Sequence, residues 1–213
     1  MSDYLAFLMD RYPDVLRAAG EHLTISGIAV LLGCVAAIPL GAYLSGERPA
    51  WIRTAAFGVA NVFQTIPSLA LLAVLIPLFG IGLRPAVFAL FLYSLLPILR
   101  NTFAGFRSVD AGILEAARGM GYSGWQRLWS IQLPLAFPYI ISGIRVTTVY
   151  VISWTTLATL IGAGGLGQLI FSGLGVNKEE LIFTGAAAAI LLALAADFAL
   201  GRIEKSFRGG LTS

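Results

Sequence analysis

Residues able to carry chemistry are few in this chain and lie far apart. Cys34 is the only cysteine and His22 the only histidine among 213 residues. One cysteine cannot form an internal disulfide or a cysteine-ligated metal cluster, and one histidine with no acidic cluster beside it does not make a metal site. We therefore predict no catalytic residue, metal or cofactor in this chain. We interpret Cys34 as a small apolar filler and His22 as a residue at the outer edge of an apolar segment.

One glycine-rich segment, GAGGLG from Gly162 to Gly167, formally matches the dinucleotide-binding pattern G-x-G-x-x-G. That pattern binds a pyrophosphate only between a strand and a helix, with an acidic residue about 20 residues further on. Here it follows a long apolar segment, so we predict a flexible outer-face turn in which glycines permit tight bends. The sequence also lacks G-x-x-x-x-G-K-S/T, so ATP does not bind this chain through a P-loop.

The most specific pattern is a polar, glycine-interrupted stretch between two apolar segments, EAARGMGYSGWQRLWSIQLP at 115–134. It reads E-A-A-x3-G-x9-I-x-L-P and resembles the cytoplasmic EAA loop of ABC importer permeases, on which a separate ATPase subunit docks. The alternative is an interfacial loop with a chance EAA tripeptide, which leaves the spaced glycine, isoleucine, leucine and proline unexplained. The resemblance implies these ATPase-coupling residues: Glu115, Ala116, Ala117, Gly121, Ile131, Leu133 and Pro134.

The local sequence of this loop predicts a helix-turn-helix lying at the membrane surface. Asp110 is placed to cap a first short helix, and Gly119 or Gly121 to end it in a left-handed conformation. Ser123 and Gln126 match a capping box for a second short helix.

The first short helix of this coupling loop, which covers about 107–134, also suits a protein partner. Ala116 and Ala117 are small enough to let the helix sit deep in a partner's groove. Glu115 and Arg118 then offer charged hydrogen bonds at the rim.

Composition places most of the chain in a membrane. Hydrophobic residues make up 58%, charged residues 12%, and the mean hydropathy is +0.85, whereas soluble domains carry about 25% charged residues. The net charge is +3, but the basic residues are scattered singly, which excludes nucleic acid as a partner. Acidic residues stand where a signal peptide has its basic region, so we expect no cleaved leader. Without repeats or linkers, 1–213 is interpreted as one domain.

Five apolar segments are long enough to cross a bilayer, which takes about 20 residues. Because lipid cannot satisfy free backbone groups, all five must be helices, and we predict an all-α, polytopic membrane fold. A short amphipathic segment precedes the first span. The predicted spans are Leu23–Leu44, Thr54–Phe79, Pro85–Phe106, Leu135–Ile161 and Leu181–Leu200.

The distribution of lysine and arginine predicts the orientation. With the coupling loop in the cytoplasm, nine basic residues lie inside: Arg48, Arg53, Arg100, Arg107, Arg118, Arg127, Arg202, Lys205 and Arg208. Four lie outside: Arg11, Arg17, Arg84 and Lys178. Since positive residues favour the cytoplasmic side, the N-terminus is expected outside and the C-terminus inside.

Pro67 interrupts the second span and is predicted to kink it. Polar side chains cluster around the kink and near the end of the fourth span, so these helices are expected to face protein or water. In the fourth span, Trp154 and Tyr150 can attract a quaternary ammonium by cation–π contact. The alternative for the threonines is a hydrogen bond to a carbonyl of their own helix. The predicted pathway residues are Asn61, Gln64, Thr65, Ser68, Trp154, Thr155 and Thr159, with Thr156 beside them.

Two charged residues lie within apolar segments, Arg145 in the fourth and Asp197 in the last. Intramembrane charges usually face the bundle interior or a water path. We predict that the two pair in the inner half of the membrane, because their expected depths are similar. The alternative for Arg145 is snorkelling to the inner interface.

The resemblance becomes narrower when the whole chain is used. GEHLTISGIAVLLGCVAAIPLG, NVFQTIPSLALLAVLIPLFGIG, ALFLYSLLPILRNTFAGF and SGIRVTTVYVISWTTLATLIGAGGLGQLIFSGL together are similar to the permease subunits of osmoprotectant importers for glycine betaine, carnitine and choline. The similarity covers nearly the whole chain and implies a type I ABC importer permease fold in the bacterial cytoplasmic membrane.

The same resemblance implies the partners of this chain. They are two ABC ATPase subunits that bind ATP and Mg²⁺, an extracytoplasmic substrate-binding protein, a second permease copy or paralogue, and membrane lipid. Two other interpretations stay open at this point. One keeps the mechanism with another small cargo such as an amino acid, and the other is a non-ABC membrane carrier or scaffold.

Overall fold

The computed structural model describes the backbone of residues 2–209, and every regular element in that range is a helix. The predicted all-α class is confirmed. The side chain of Arg208, counted above among the inner basic residues, lies outside the described part. The helices are α1 (Ser2–Ser45), α2 (Ala50–Thr65), α3 (Ser68–Phe79), α4 (Leu83–Arg107), α5 (Ala111–Gly119), α6 (Gly124–Arg127), α7 (Leu133–Ala158), α8 (Gly167–Val176) and α9 (Glu179–Gly209).

The first helix is longer than the predicted span Leu23–Leu44 and includes the segment predicted to precede it. It runs for 44 residues without a break, which is about 66 Å at the rise of an α-helix and about twice the hydrocarbon thickness. An ion pair one turn apart supports the continuation, with 3.2 Å between Arg17 Nε and Glu21 Oε1. The N-terminal part is therefore a helical extension of the span.

The second predicted span, Thr54–Phe79, is sharply broken where we predicted a kink. Helices α2 and α3 meet at an angle of 99°, and Ile66 has extended backbone angles of −73° and 128°. The ring of Pro67 disfavours a helical conformation of the residue before it, and α2 ends at Thr65. The carbonyl of Ile66 accepts a hydrogen bond of 2.6 Å from Tyr93 Oη.

In the described range, four helices are long and apolar enough to cross a membrane, and α2 with α3 makes a fifth only if the broken pair counts as one span. The four stretches are Met9–Ser45, Leu83–Arg107, Gly124–Ile161 and Glu179–Phe207. The third and fourth predicted spans lie within two of them. The last helix extends further toward the C-terminus than the predicted Leu181–Leu200.

The predicted second short helix of the coupling loop is not a separate element. Helix α6 continues through a π-helical turn, Leu128–Gln132, into α7, and the amide of Leu133 bonds to the carbonyl of Leu128. Pro134 stands at the start of α7 and has no amide hydrogen for the usual ladder, so the wider turn accommodates the missing bond. The loop therefore enters the membrane as one continuous helix with the fourth span.

Helix α4 lies at the centre of the bundle, packed against α1, α2, α3 and α7. Small residues let the helices approach closely. A Cβ built on Gly143 of α7 would lie 2.6 Å from Asn101 Cβ of α4, and one on Gly41 of α1 would lie 2.8 Å from Thr102 Cβ. By contrast, only 11% of the apolar window of α9 is buried, so α9 lies at the periphery.

Candidate functional site

The first half of the coupling loop is a short helix with a well-formed start. Asp110 Oδ1 accepts hydrogen bonds from the amides of Gly112 at 2.8 Å and Ile113 at 3.2 Å, as its predicted capping role requires. Helix α5 then runs for nine residues.

The end of α5 is a Schellman motif, in which Gly121 takes a left-handed conformation with φ of 83°. The amide of Gly121 bonds to the carbonyl of Arg118 and that of Tyr122 to the carbonyl of Ala117, each at 3.0 Å. Of the two glycines predicted to end the helix, Gly121 does so, while Gly119 is the last helical residue.

The two alanines of the coupling motif face opposite ways. Ala116 is exposed, but Ala117 is wholly buried against this chain, so the prediction that both enter a partner's groove is wrong for Ala117. The outward face instead carries Ile113, Ala116 and Met120, one and two turns apart, with Ile113 46% and Met120 69% exposed. Glu115 is exposed beside them. Met120 was missed, although its spacing from Ile113 and Ala116 indicates the same face.

The second half of the motif does not belong to this outward face. The capping box is present, with Ser123 N to Gln126 Oε1 at 2.8 Å and Gln126 N to Ser123 Oγ at 3.2 Å. Leu133 then packs near the cluster around Phe106, and Ile131 is half-buried. The structure therefore leaves Glu115, Ala116 and Gly121 exposed on the outward side of the loop, whereas Ile131, Leu133 and Pro134 belong to the helix that joins the loop to α7.

The broken helix is held to the centre of the bundle by side chains. Gln64 Nε2 donates to the carbonyl of Tyr93 at 2.6 Å, and Tyr93 Oη donates to that of Ile66. The ring of Tyr93 lies 4.7 Å from that of Trp154, which lies 6.0 Å from that of Tyr150. A row of aromatic rings therefore connects the break to α7. Its buried member, Tyr93, was not predicted from the sequence because it stands in an apolar run.

The predicted pathway residues differ in exposure: those near the break are exposed or half-buried, whereas Thr155 in the fourth span is not. Asn61 and Thr65 are exposed, and Gln64 and Ser68 are half-buried near the break. Thr155 is wholly buried.

The hydroxyls of the three threonines of the fourth span differ in their partners. Thr155 donates to the carbonyl of Val151 and Thr156 to that of Ser153, each at 2.7 Å. In this conformation the hydroxyls of Thr155 and Thr156 therefore bond to carbonyls of their own helix, which was the alternative to lining a pathway. Thr159 reaches out of its helix to the carbonyl of Gly164 at 2.6 Å.

Residues of α1 hold the glycine-rich turn that follows the fourth span. The prediction of a flexible turn did not include these contacts. Gly162, Gly164 and Gly165 have positive φ, and the turn leads into helix α8, which was not predicted. The amide of Gly165 donates to Glu21 Oε2 at 3.1 Å.

His22 is buried in the bundle, an environment that its interpretation as a residue at the outer edge of an apolar segment did not include. Its exposed fraction is 0%, Nδ1 accepts from the amide of Leu166 at 3.2 Å, and Nε2 lies 2.8 Å from the carbonyl of Ile152. Because Nδ1 accepts, Nε2 must carry the proton and donate. The neutral ring therefore joins α1, α7 and the glycine-rich turn.

The predicted pairing of Arg145 with Asp197 is confirmed. Nε lies 2.6 Å from Oδ1 and Nη2 2.7 Å from Oδ2, a two-pronged contact. Arg145 Nη1 also reaches Glu204 Oε2 at 3.2 Å. Glu204 was not predicted as a partner, although it lies two turns along α9 from Asp197.

Among the described residues, no three histidine, cysteine or acidic side chains lie close enough together to hold a metal ion.

Comparison of folds defines the class of protein. The chain is similar to a chain of the inward-facing MetNI methionine ABC transporter, with a TM-score of 0.82, 25% identity, and coverage of 91% of this chain and 95% of that one. It shares its fold more distantly with a chain of a bacterial alginate ABC transporter, at a TM-score of 0.67 and 17% identity. The predicted type I ABC importer permease fold is confirmed, and the class is a membrane subunit of an ABC transporter.

The chain belongs to the family of binding-protein-dependent transport system inner membrane components, whose model matches residues 29–209. It is 45% identical to the glycine betaine/carnitine/choline transport system permease protein OpuCB of Bacillus subtilis, over 96% of this chain and 94% of that protein. It is 46% identical to the carnitine transport permease protein OpuCB of Listeria monocytogenes, over 96% and 93%. This membership excludes the interpretation as a non-ABC carrier or scaffold and places the chain in an inner membrane.

Proposed function

We propose that this chain is the permease subunit of an ATP-driven importer whose cargo is a quaternary-ammonium osmoprotectant. The observation that carries the proposal is its identity of 44–46% over 96% of its length with permeases of glycine betaine, carnitine and choline systems. ATP and Mg²⁺ bind in separate ATPase subunits, and this chain supplies the path and the mechanical connection.

The coupling loop supplies that connection in the proposal. The outward face of α5, formed by Ile113, Ala116 and Met120, enters a groove of the ATPase as an amphipathic helix does. Because α6 continues into α7 through the π-helical turn, a displacement of the loop moves the fourth span with it. ATP binding and hydrolysis then alternate the access of the path between the two sides.

The path is proposed to lie along the open face of α7. This helix packs against α1, α4 and α9, but Tyr139, Val146, Tyr150 and Ser153 remain exposed at turn spacing. Tyrosine and serine on one stripe suit a water-filled path between two permease copies better than lipid. The rings of Tyr150 and Trp154 offer a weak cation–π contact that a quaternary ammonium can leave.

Nearer the break, the proposed lining is completed by exposed or half-buried polar side chains of α2 and α3. These are Asn61, Gln64, Thr65 and Ser68. Thr155 is not included, because its side chain is wholly buried.

The proposed orientation has the N-terminus outside and the coupling loop and C-terminus in the cytoplasm, following the excess of basic residues there. A substrate-binding protein delivers the cargo at the outer face, where the glycine-rich turn is held by Glu21 and His22. The second permease, either another copy or a paralogue, contacts the open face of α7.

The test is ATP-dependent uptake into proteoliposomes that contain this chain, its ATPase and its binding protein. Glycine betaine, carnitine, choline and methionine are each offered. Uptake of a quaternary amine supports the proposal. Uptake of methionine alone would keep the mechanism and overturn the cargo, in line with the likeness to the methionine transporter fold.

A further inference from the structure

Two adjoining crevices open at the inner membrane interface beside the coupling loop. The first, of about 420 Å³, is an apolar groove between α1 and the α6–α7 entrance, with Ile38, Trp125 and Trp129 among its walls. The second, of about 620 Å³, is a polar crevice behind α5. Ala42 and Phe106 line both, so the groove and the crevice form one continuous amphipathic site.

The polar crevice is rich in positive charge. Arg107 at the end of α4 and Arg118 in α5 line it, against a single acidic residue, Glu47. In the described part of the chain, neither of the two guanidinium groups has a hydrogen bond or ion pair. Both guanidinium groups are thus available for an anionic ligand.

The apolar groove is lined in part by a helix that is long and apolar enough to cross the membrane. Ile38 and Pro39 in its wall belong to that stretch of α1, and Trp125, Trp129 and Tyr43 line it as well, residue types that are enriched at membrane interfaces. Arg48 lies over the ring of Tyr43, 4.1 Å from its centre. The apolar groove therefore suits a hydrocarbon chain, and the polar crevice suits a negatively charged group.

We propose that this site binds an anionic phospholipid of the inner leaflet, with an acyl chain in the groove and its phosphate at Arg107 and Arg118. The headgroup then lies between α1 and the buried side of α5. The inference concerns lipid binding itself and holds whichever cargo the importer carries.

The site can be tested by tryptophan quenching in nanodiscs that contain the full-length chain. Lipids with brominated chains, either phosphatidylglycerol or phosphatidylcholine, are titrated into unbrominated phosphatidylcholine. The signal of Trp125 and Trp129 is obtained by subtracting that of a Trp125→Phe/Trp129→Phe variant. Quenching by the brominated anionic lipid is expected at a lower mole fraction than quenching by the zwitterionic one.

The arginines provide the decisive comparison. Arg107→Gln with Arg118→Gln is expected to weaken the anionic lipid about 30-fold, from about fivefold for each positive charge near the membrane surface. Arg202→Gln is the matched control, because Arg202 is an exposed inner cation stacked on Phe198 and lines neither crevice.

Three results would overturn the proposal. Coincident curves for the two lipids would show ordinary boundary lipid. Loss of the anionic preference when the ATPase is added would show that the partner protein occupies the site in the assembled importer. Loss of the preference when inorganic phosphate is added at constant ionic strength would show a site for free anions.

Discussion

The left-handed end of the coupling helix can be tested by adding a side chain at Gly121 and, as a matched control, at Gly119. Neither glycine has an atom within 4 Å of an added Cβ, but only Gly121 has a positive φ, of 83°. Gly121→Val therefore perturbs the backbone conformation alone, and Gly119→Val places the same side chain two residues earlier, inside the helix.

The expected magnitude follows from this difference. A non-glycine residue in the left-handed region costs about 1–2 kcal/mol, and β-branched valine stands at the upper end of that range because it is rare there. Valine at Gly119 stabilises the helix by a few tenths of a kcal/mol relative to glycine. The equilibrium ratio of correctly ended to incorrectly ended α5 should thus fall about 5–30-fold in Gly121→Val only.

ATP-driven uptake and ATPase retention during purification measure the effect, with the melting temperature of the chain as the test of intact spans. Gly121→Val should reduce both uptake and ATPase retention at an unchanged melting temperature, whereas Gly119→Val should keep both. Equal uptake by the two variants would refute the role of the Schellman motif in presenting the docking face.

Three further results are expected. Arg145→Asp or Asp197→Arg alone should lower the melting temperature of the chain, since each change removes the two-pronged pair and sets like charges together, and the double exchange should recover part of the loss; no recovery would contradict the pair. His22→Phe should lower stability by about 1–3 kcal/mol, because the amide of Leu166 loses its acceptor, and His22→Gln should lower the melting temperature less; equal losses would contradict this role of the ring. Tyr150→Ala should raise the KM for a quaternary amine while Tyr150→Phe should not, because the ring face makes the cation–π contact; uptake kinetics that do not distinguish the two variants would contradict it.

Local features of the coupling loop were predictable because they depend on neighbouring residues. The cap at Asp110, the left-handed Gly121 and the Ser123–Gln126 box each follow from residue types within one turn of the chain. The burial of Ala117 could not be predicted from neighbouring residues, since it depends on which side of α5 packs against the rest of the bundle.

Features set by distant contacts were not predictable in this way. His22 bonds to residues 130 and 144 positions away, and nothing near it in the sequence indicates either. Pro67 indicated a break, but the angle depends on a packed core that includes Tyr93, which accommodates the freed carbonyl of Ile66. Glu204 is the exception, because its two-turn spacing from Asp197 was a usable signal.

The most direct test of the central claim is photocrosslinking from the coupling helix to the ATPase. In a Cys34→Ser background, a single cysteine is placed at Ala116, which is exposed, or at Ala117, which is wholly buried, and labelled with a benzophenone maleimide. The account predicts a crosslink to the ATPase from Ala116→Cys and little or none from Ala117→Cys. An ATPase that co-purifies but does not crosslink from Ala116→Cys, or crosslinks equally from both, would contradict it.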